Sequence, residues 1–314
     1  MKLKQIFKTT VYPKAPYNFK YSTQNPSHFP TPTGENTDNA MWFTMRWNKQ
    51  PVGVRFHNRG SVNKPAVEVT IYAKKSIDGK AIIEELAYRF EWNEDYSEFY
   101  KLVKKDNKLA LILKKFRGMR LFCAENLYDY LMIAILLQNA NIKRTTQMTK
   151  AMLENYGNLL EFDGQQHYCF WTPERIIDVS EEELRSLKVG YRAKSFLRAS
   201  QDYLKLNEIE MRKLSNEELR KALLSIYGVG PASLDYLMRD VFHRRDALNT
   251  VPPWEAKIYS RILEIKTTNP KRILSEVKKR YGEWRAVAVH YLFMDLAWKH
   301  KEKPIEWFGK LMPY

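Results

Sequence analysis

The stretch Leu219-Arg-Lys-Ala-Leu-Leu-Ser-Ile-Tyr-Gly228-Val229-Gly230-Pro231-Ala-Ser-Leu-Asp-Tyr-Leu-Met238 reads as two helices joined by a Gly-Val-Gly turn. Ser215 followed by Glu218 is a capping-box signature, and Leu219, Ala222, Leu223 and Ile226 recur with the spacing of one helical face. Gly228 and Gly230 supply backbone freedom where a second helix must begin. Pro231 is tolerated in a first helical turn, and Leu234, Leu237, Met238 and Val241 repeat the same periodicity. Such a turn aims backbone N–H groups from the start of the second helix, a good seat for a phosphate. It is also common punctuation between packed helices, so the surrounding sequence has to decide.

On either side of this hairpin the pattern stays helical, from about Glu125 onward. Tyr130 through Leu137 is almost continuously apolar, as in a buried central helix, and ends in the polar break Gln138-Asn-Ala-Asn-Ile-Lys-Arg144. A further helix runs from Thr145 to Leu153 and stops at Gly157, and Ser180-Glu-Glu-Glu183 opens another with a capping box. Ile258, Ile262 and Ile265 have helical spacing, and Trp284 to Trp298 is again helical. The first third differs. Ala66 to Ala73 alternates Val67, Val69, Ile71 and Ala73 against Glu68, Thr70 and Tyr72, which suits a strand with one wet face. Met41–Trp47, Gly53–His57, Leu86–Trp92 and Leu109–Leu113 are further strand candidates, with loops expected near 24–39 and 57–65. The expected fold is α+β: an antiparallel β-rich domain over residues 1–115, then a helical region over 116–314. The helical region is expected to comprise a middle subdomain at about 140–240 and a second one from 116–139 plus 241–314.

With 314 residues, 44% hydrophobic and 28% charged, the chain has a globular composition. Its formal charge of +16 points to a polyanionic partner, for which nucleic acid is the leading candidate. Cys123 and Cys169 are the only cysteines, too few for a cysteine-ligated iron–sulfur cluster. His28, His57, His167, His243, His290 and His300 show no metal-ligand spacing, so no metal site is expected. The N-terminal apolar run is short for a signal peptide, and no stretch approaches the roughly 18 apolar residues of a membrane span. An intracellular location is therefore expected, cytoplasmic or nucleoid, or nuclear in a eukaryote, with no membrane partner.

Six motifs follow one another: Phe116-Arg-Gly-Met-Arg-Leu121, Leu137 to Arg144, Val189-Gly-Tyr-Arg-Ala-Lys194, Ile226-Tyr-Gly-Val-Gly230, Val251-Pro-Pro-Trp-Glu255, and Trp284 to Phe293. In this order they resemble the helix-hairpin-helix superfamily of base-excision DNA glycosylases over roughly residues 116–300. They are most similar to the 8-oxoguanine and bacterial 3-methyladenine glycosylases, which carry an antiparallel β domain before the helices. The resemblance implies that the chain extrudes a damaged base from double-stranded DNA. It further implies that Gly228, Val229 and Gly230 anchor a phosphate, and that Asn139, Arg144, Tyr191 and Arg192 fill the emptied stack or bond the estranged base. A Tyr ring stacks on bases and an Arg fork can bond a base edge in two places, so the residue types suit these tasks. Hairpin carbonyls in similar proteins also hold a structural monovalent cation. No other cofactor is expected, and a monomer is the default.

Bifunctional members of the family place a lysine two positions after the second hairpin glycine, where its amine attacks the sugar. Here that position is Ala232. The remaining requirement is a carboxylate after a Val-Pro segment, to stabilise positive charge on the sugar and orient or deprotonate water. The aligned acid is Glu255, where the family normally has aspartate. A surface glutamate offsetting the dipole at a helix start is the competing reading. Asp235, Asp240 and Asp246 are weaker substitutes, and Lys257 is a displaced amine two residues from Glu255. Trp254, Tyr291 and Phe293 are candidates for the base pocket, although Tyr291 and Phe293 cannot share one face of a straight helix. A monofunctional glycosylase is expected. The alternatives are a bifunctional 8-oxoguanine-type enzyme with a displaced nucleophile, a non-catalytic lesion- or structure-specific DNA-binding protein, and an RNA-directed protein.

Overall fold

A computed structural model describes residues 1–26 and 32–312. Residues 27–31, within the loop expected at 24–39, lie outside the described residues, as do 313–314. The N-terminal part forms a five-stranded antiparallel sheet from β1 (Lys4–Val11), β2 (Gly34–Asn36), β3 (Ala40–Trp47), β4 (Gln50–Asn58) and β5 (Val67–Ala73), in the order β1-β5-β4-β3-β2. Its register pairs Phe43 with Val54 and Val54 with Ile71. These side chains therefore stand on one face, in a core with Phe56, Ile82, Leu86, Phe90 and Trp92. The alternation in β5 gave the strand correctly but not its second face, because Thr70 and Tyr72 are buried too. A hairpin of β6 (Asn158–Phe162) and β7 (Gln165–Cys169) covers that face, where Leu3, Tyr72, Leu160, Phe162 and Cys169 make a second, smaller core. Gly53 permits the approach, since a Cβ there would stand 2.6 Å from the Phe162 ring.

The β6–β7 hairpin itself interrupts a region expected to be all helix. Its two-residue turn is Asp163-Gly164, both at positive φ (50° and 74°), the Asp-Gly signal of a tight hairpin. Two expected strands are helices. Asp78 accepts from the N–H groups of Lys80 and Ala81 and starts α1 (Gly79–Arg89), which buries Ile82 and Leu86, so the 86–92 segment is a helix end. Asp106 accepts from the N–H groups of Lys108 and Leu109 at the start of α2 (Asn107–Phe116), which buries Leu109, Ile112 and Phe116.

The helices that carry candidate site residues are α3 (Leu127–Leu137), α4 (Ile142–Tyr156), α5 (Arg192–Tyr203), α6 (Asn216–Leu224), α7 (Pro231–Tyr236), α8 (Pro253–Ile262), α9 (Pro270–Tyr281) and α10 (Arg285–Glu302). Asn126 caps α3, Asn141 caps α4, and Ser215 with Glu218 completes a reciprocal capping box on α6. Ser180 caps the short helix Glu181–Ser186, whereas the Glu183 carboxylate accepts the Tyr156 hydroxyl at 2.9 Å. Two compact units result. One contains Met1–Gln24, the sheet, α1 and Arg117–Leu206; the other contains Asp95–Phe116 and the chain from Asn207 onward. Among the described residues no helix is long and apolar enough to cross a membrane.

Candidate active site

The candidate residues fall into two groups, one in each unit. In the first unit α3 ends at Leu137, and Asn139 turns the chain in the left-handed region at φ 48°, a conformation asparagine tolerates better than most residues. Its side-chain amide donates to the Tyr191 hydroxyl at 3.2 Å, and that hydroxyl donates to the Gln138 carbonyl at 3.2 Å. Gly190, at φ 66°, lets the chain turn into α5 just before Tyr191. Tyr191 is 48% exposed and Asn139 is exposed, so both are presented to solvent as a joined pair.

Arg192 has a different task from the base-edge contact expected of it. It is buried, and its guanidinium donates to the carbonyls of Ile135, Val189 and Gln138. Ile135 and Gln138 lie at the end of α3 and Val189 in the turn before α5, so the fork caps that helix end and ties it to the turn, while its central carbon lies 4.8 Å from the Tyr191 ring centre. Arg144 is exposed near the start of α4 and donates to the Lys188 carbonyl, tying the 138–144 turn to the 188–192 turn.

In the second unit the hairpin is present as read. Gly228 takes φ 87°, a value reserved in practice for glycine, and Gly230 caps α7 with open space around its Cα. Val229 N–H donates to the Ile226 carbonyl at 3.1 Å, and Gly230 N–H donates to Ser233 Oγ at 3.2 Å. A phosphate accepting from Gly230 would therefore replace Ser233 there. The donors that a cation would meet in this turn are backbone carbonyl oxygens, hard ligands of the type that suits a monovalent ion. The Ile226 and Gly230 carbonyls already accept from Val229 and Leu234.

Asp235 joins the hairpin to the segment that carries the candidate acid. Its buried carboxylate accepts from Asn249 N–H and Thr250 N–H, each at 2.7 Å, from the Thr250 hydroxyl at 3.0 Å and from the Asn249 amide at 3.2 Å. That is a structural staple, in line with a packing role on the second hairpin helix. Beyond it, Val251-Pro-Pro leads into α8, whose first turn carries Glu255.

Glu255 is 5% exposed, which removes the surface-glutamate reading. Tyr236, at the end of α7, donates its hydroxyl to Glu255 Oε1, and the buried Tyr259, one turn along α8 and so on the same helical face, also acts on the carboxyl. After α7 the chain continues as a π-helical turn, Leu237–Val241, which carries Arg239. The Arg239 guanidinium lies 5.0 Å from the Tyr236 ring centre and pairs with Asp240 through contacts of 2.6 and 2.9 Å. Burial pushes the Glu255 carboxyl above the usual carboxylate range. The Tyr236 hydrogen bond, the Arg239 charge and the nearby Tyr259 hydroxyl work against that, and Asp235 adds to it. Burial and the charge of Glu255 together raise both phenols well above the ordinary tyrosine range. Neither tyrosine was singled out from the sequence, although Tyr259 lies four residues after Glu255 and so on the same helical face.

Of the base-pocket candidates, Trp254 is half-exposed in the first turn of α8. Tyr291 is fully buried against Phe99, with ring centres 5.1 Å apart, so it belongs to the core and offers no face to a base. Phe293 is half-buried and packs edge-on against Phe308 at 5.7 Å. Lys257 is exposed, and Ala232 is the second residue of α7. Among the described residues no group of three or more His, Cys, Asp and Glu side chains is placed to hold a metal ion.

A model of the HhH-GPD superfamily of base excision DNA repair proteins matches residues 132–283, a span that holds the 139–144 turn, Tyr191, the hairpin and Glu255. Residues 132–283, nearly half of the chain, are therefore HhH-GPD-like. Similar proteins include a probable N-glycosylase/DNA lyase of Methanothermobacter thermautotrophicus. That protein is 25% identical over 236 residues, covering 68% of this chain and 74% of the relative. A DNA-3-methyladenine glycosylase of Bacillus subtilis is 23% identical over 222 residues, covering 68% and 72%. The fold is shared with a 3-methyladenine DNA-glycosylase from Archaeoglobus fulgidus, with a TM-score of 0.72 at 16% identity over 91% of this chain and 97% of that one. The HhH-GPD match stops before Tyr291 and Phe293.

Proposed function

We propose that this DNA glycosylase of the HhH-GPD superfamily is monofunctional: it hydrolyses the N-glycosidic bond of a damaged base in duplex DNA with water, and leaves an abasic site. The observation that carries the reading is the Glu255 carboxyl, buried at the start of α8 and hydrogen-bonded by the Tyr236 phenol. In this scheme Asn139 and Tyr191 contact the strand from which the base has been extruded, and the hairpin takes a phosphate. As the bond to the base lengthens, positive charge grows on the sugar and the Glu255 carboxylate stabilises it. Water attacks the sugar carbon, one of its protons passes to Glu255, and the base departs with the bonding electron pair and is protonated. A carboxyl raised above its ordinary range is a better base for that proton than an exposed one. Ala232 offers no amine for the covalent route.

The test is a panel of duplexes, each with one alkylated, oxidised or deaminated base, scored for base loss and for strand breaks before and after alkali. The expected result is breakage only after alkali, and a loss of about 10²- to 10⁴-fold in base release in Glu255→Gln. Equal release by both proteins would remove Glu255 from the mechanism. A borohydride-trapped covalent adduct would establish a lyase with a displaced nucleophile, and no release by either protein would favour a DNA-binding role without chemistry.

A further inference from the structure

The hydrolytic scheme uses the Glu255 carboxylate but assigns nothing to the two phenols on it. Tyr236 hydrogen-bonds it from the hairpin's second helix, and Tyr259 stands one turn along its own helix on the same face. Tyr259 is 4% exposed, so its ring serves no ligand and its hydroxyl lies among buried groups. The charged neighbours are accounted for. Arg239, on the π-helical turn, is paired with Asp240, and Asp235 on α7 is taken up by Asn249, Thr250 and Arg220. On α8 itself Lys257 is exposed, two residues from Glu255 and so on a different face.

A glutamate in place of the usual aspartate has one more rotatable bond, and hence more ways to point its carboxyl group. An ionised carboxylate offers about four acceptor positions. The Tyr236 O–H donor fixes its direction, a second phenol alongside restricts it further, and the remaining positions stay open. Neutral donors do so without cancelling the negative charge, which a lysine or arginine in direct contact would do. We propose that Tyr236 and Tyr259 are positioning residues that clamp the Glu255 carboxylate, compensating for its extra methylene and leaving acceptor positions free for a water proton. The inference rests on the reading of Glu255 as the catalytic carboxylate. A donor to the ionised form favours that form, so loss of either hydroxyl should make the carboxyl harder to ionise.

Tyr236→Phe, Tyr259→Phe and the double variant keep the rings and remove only the hydroxyls. Two measurements are needed. The first follows the Glu255 carboxyl carbon by NMR against pH in the intact protein, with the signal assigned by its loss in Glu255→Gln. The second is single-turnover base release at pH 6 and pH 8.5, on the duplex of the lesion panel that the wild type cleaves fastest. The expected result is a midpoint moved upward in each variant and furthest in the double variant. The rate deficit at pH 6 should exceed that at pH 8.5 by about tenfold. A purely structural role would lower both rates by one factor and leave the midpoint in place, and that result overturns the inference. Wild-type release by Glu255→Gln is a separate outcome: it removes the reading on which the clamp depends, whatever the midpoint does.

Discussion

Glu255 is costly to keep charged where it lies, and that cost has a measurable sign. Burial raises the carboxyl above its ordinary range, against the opposing pull of Tyr236, Arg239 and Tyr259. A carboxyl that holds its proton more tightly folded than unfolded lends stability below its unfolded pKa, and that stability declines as pH rises toward the folded value. Glu255→Gln is neutral at every pH and keeps an acceptor for the phenols. It should therefore melt with the wild type at pH 4 and above it at pH 8, by about 1.4 kcal/mol for each unit by which the carboxyl is raised. Thermal unfolding of both proteins at the two pH values checks this, and equal melting temperatures at pH 8 would contradict it. A variant that is both less active and more stable is the signature of a residue kept for chemistry. At the same scale the sequence singles out Glu255 through its Val-Pro-Pro-Trp context and expects base contacts of Arg192 and Tyr291, which the structure buries. Residue type says what a side chain can bond, while burial decides what it does bond. The Arg192 fork lies on the Ile135 and Gln138 carbonyls at the end of α3, and the Tyr291 ring lies against Phe99.

At the scale of elements, the position of Glu255 depends on how α8 is hung from the hairpin. The Asp235 carboxylate bonds the Asn249 and Thr250 backbones, and only Val251 and two prolines intervene before Trp254 and Glu255. Proline fixes φ, so this short connection passes the anchor's position on to the acid with little slack. Removing the carboxylate strands several partly buried donors. Asp235→Ala should cost about 3 kcal/mol in urea unfolding and reduce base release with it, whereas a change at the exposed Lys257 should do neither. Unchanged release in a folded Asp235→Ala would show that the staple does not place Glu255. The hairpin was readable beforehand because local signals agreed there: a capping box, helical periodicity, a glycine turn and a proline at the start of a helix. Strand β5 was readable for the same reason. The segments 86–92 and 109–113 were misread because five to seven residues cannot separate a strand from the end of a helix. Their true starts were the caps Asp78 and Asp106, several residues upstream. The β6–β7 hairpin announced itself only through Asp163-Gly164, and Tyr236 could not be found from the sequence because its contact with Glu255 arises from two helices meeting, whereas the four-residue spacing of Tyr259 from Glu255 was there to be read.

At the scale of the molecule, a formal charge of +16 on 314 residues dominates any encounter with a polyanion. Much of the basic surface is paired on short-range partners, such as Lys108 with Glu264 and Lys115 with Glu302. Exposed pairs of that kind are weak and screened, so they leave the long-range field largely intact. DNA binding should therefore be dominated by phosphate contacts and counterion release. If about six phosphates are neutralised, affinity for an undamaged duplex should fall about 10³-fold between 50 and 200 mM salt. The chemical step should behave otherwise, because Glu255 is buried and its partners are within hydrogen-bonding distance, where mobile ions do not screen. Single-turnover base release at saturating enzyme should then hold nearly constant over the same range of salt. Anisotropy titrations of undamaged duplex alongside saturating single-turnover rates separate the two effects. A flat binding slope would remove phosphate neutralisation as the source of affinity, and a release rate that fell in step with binding would place the charge dependence in the reacting complex itself.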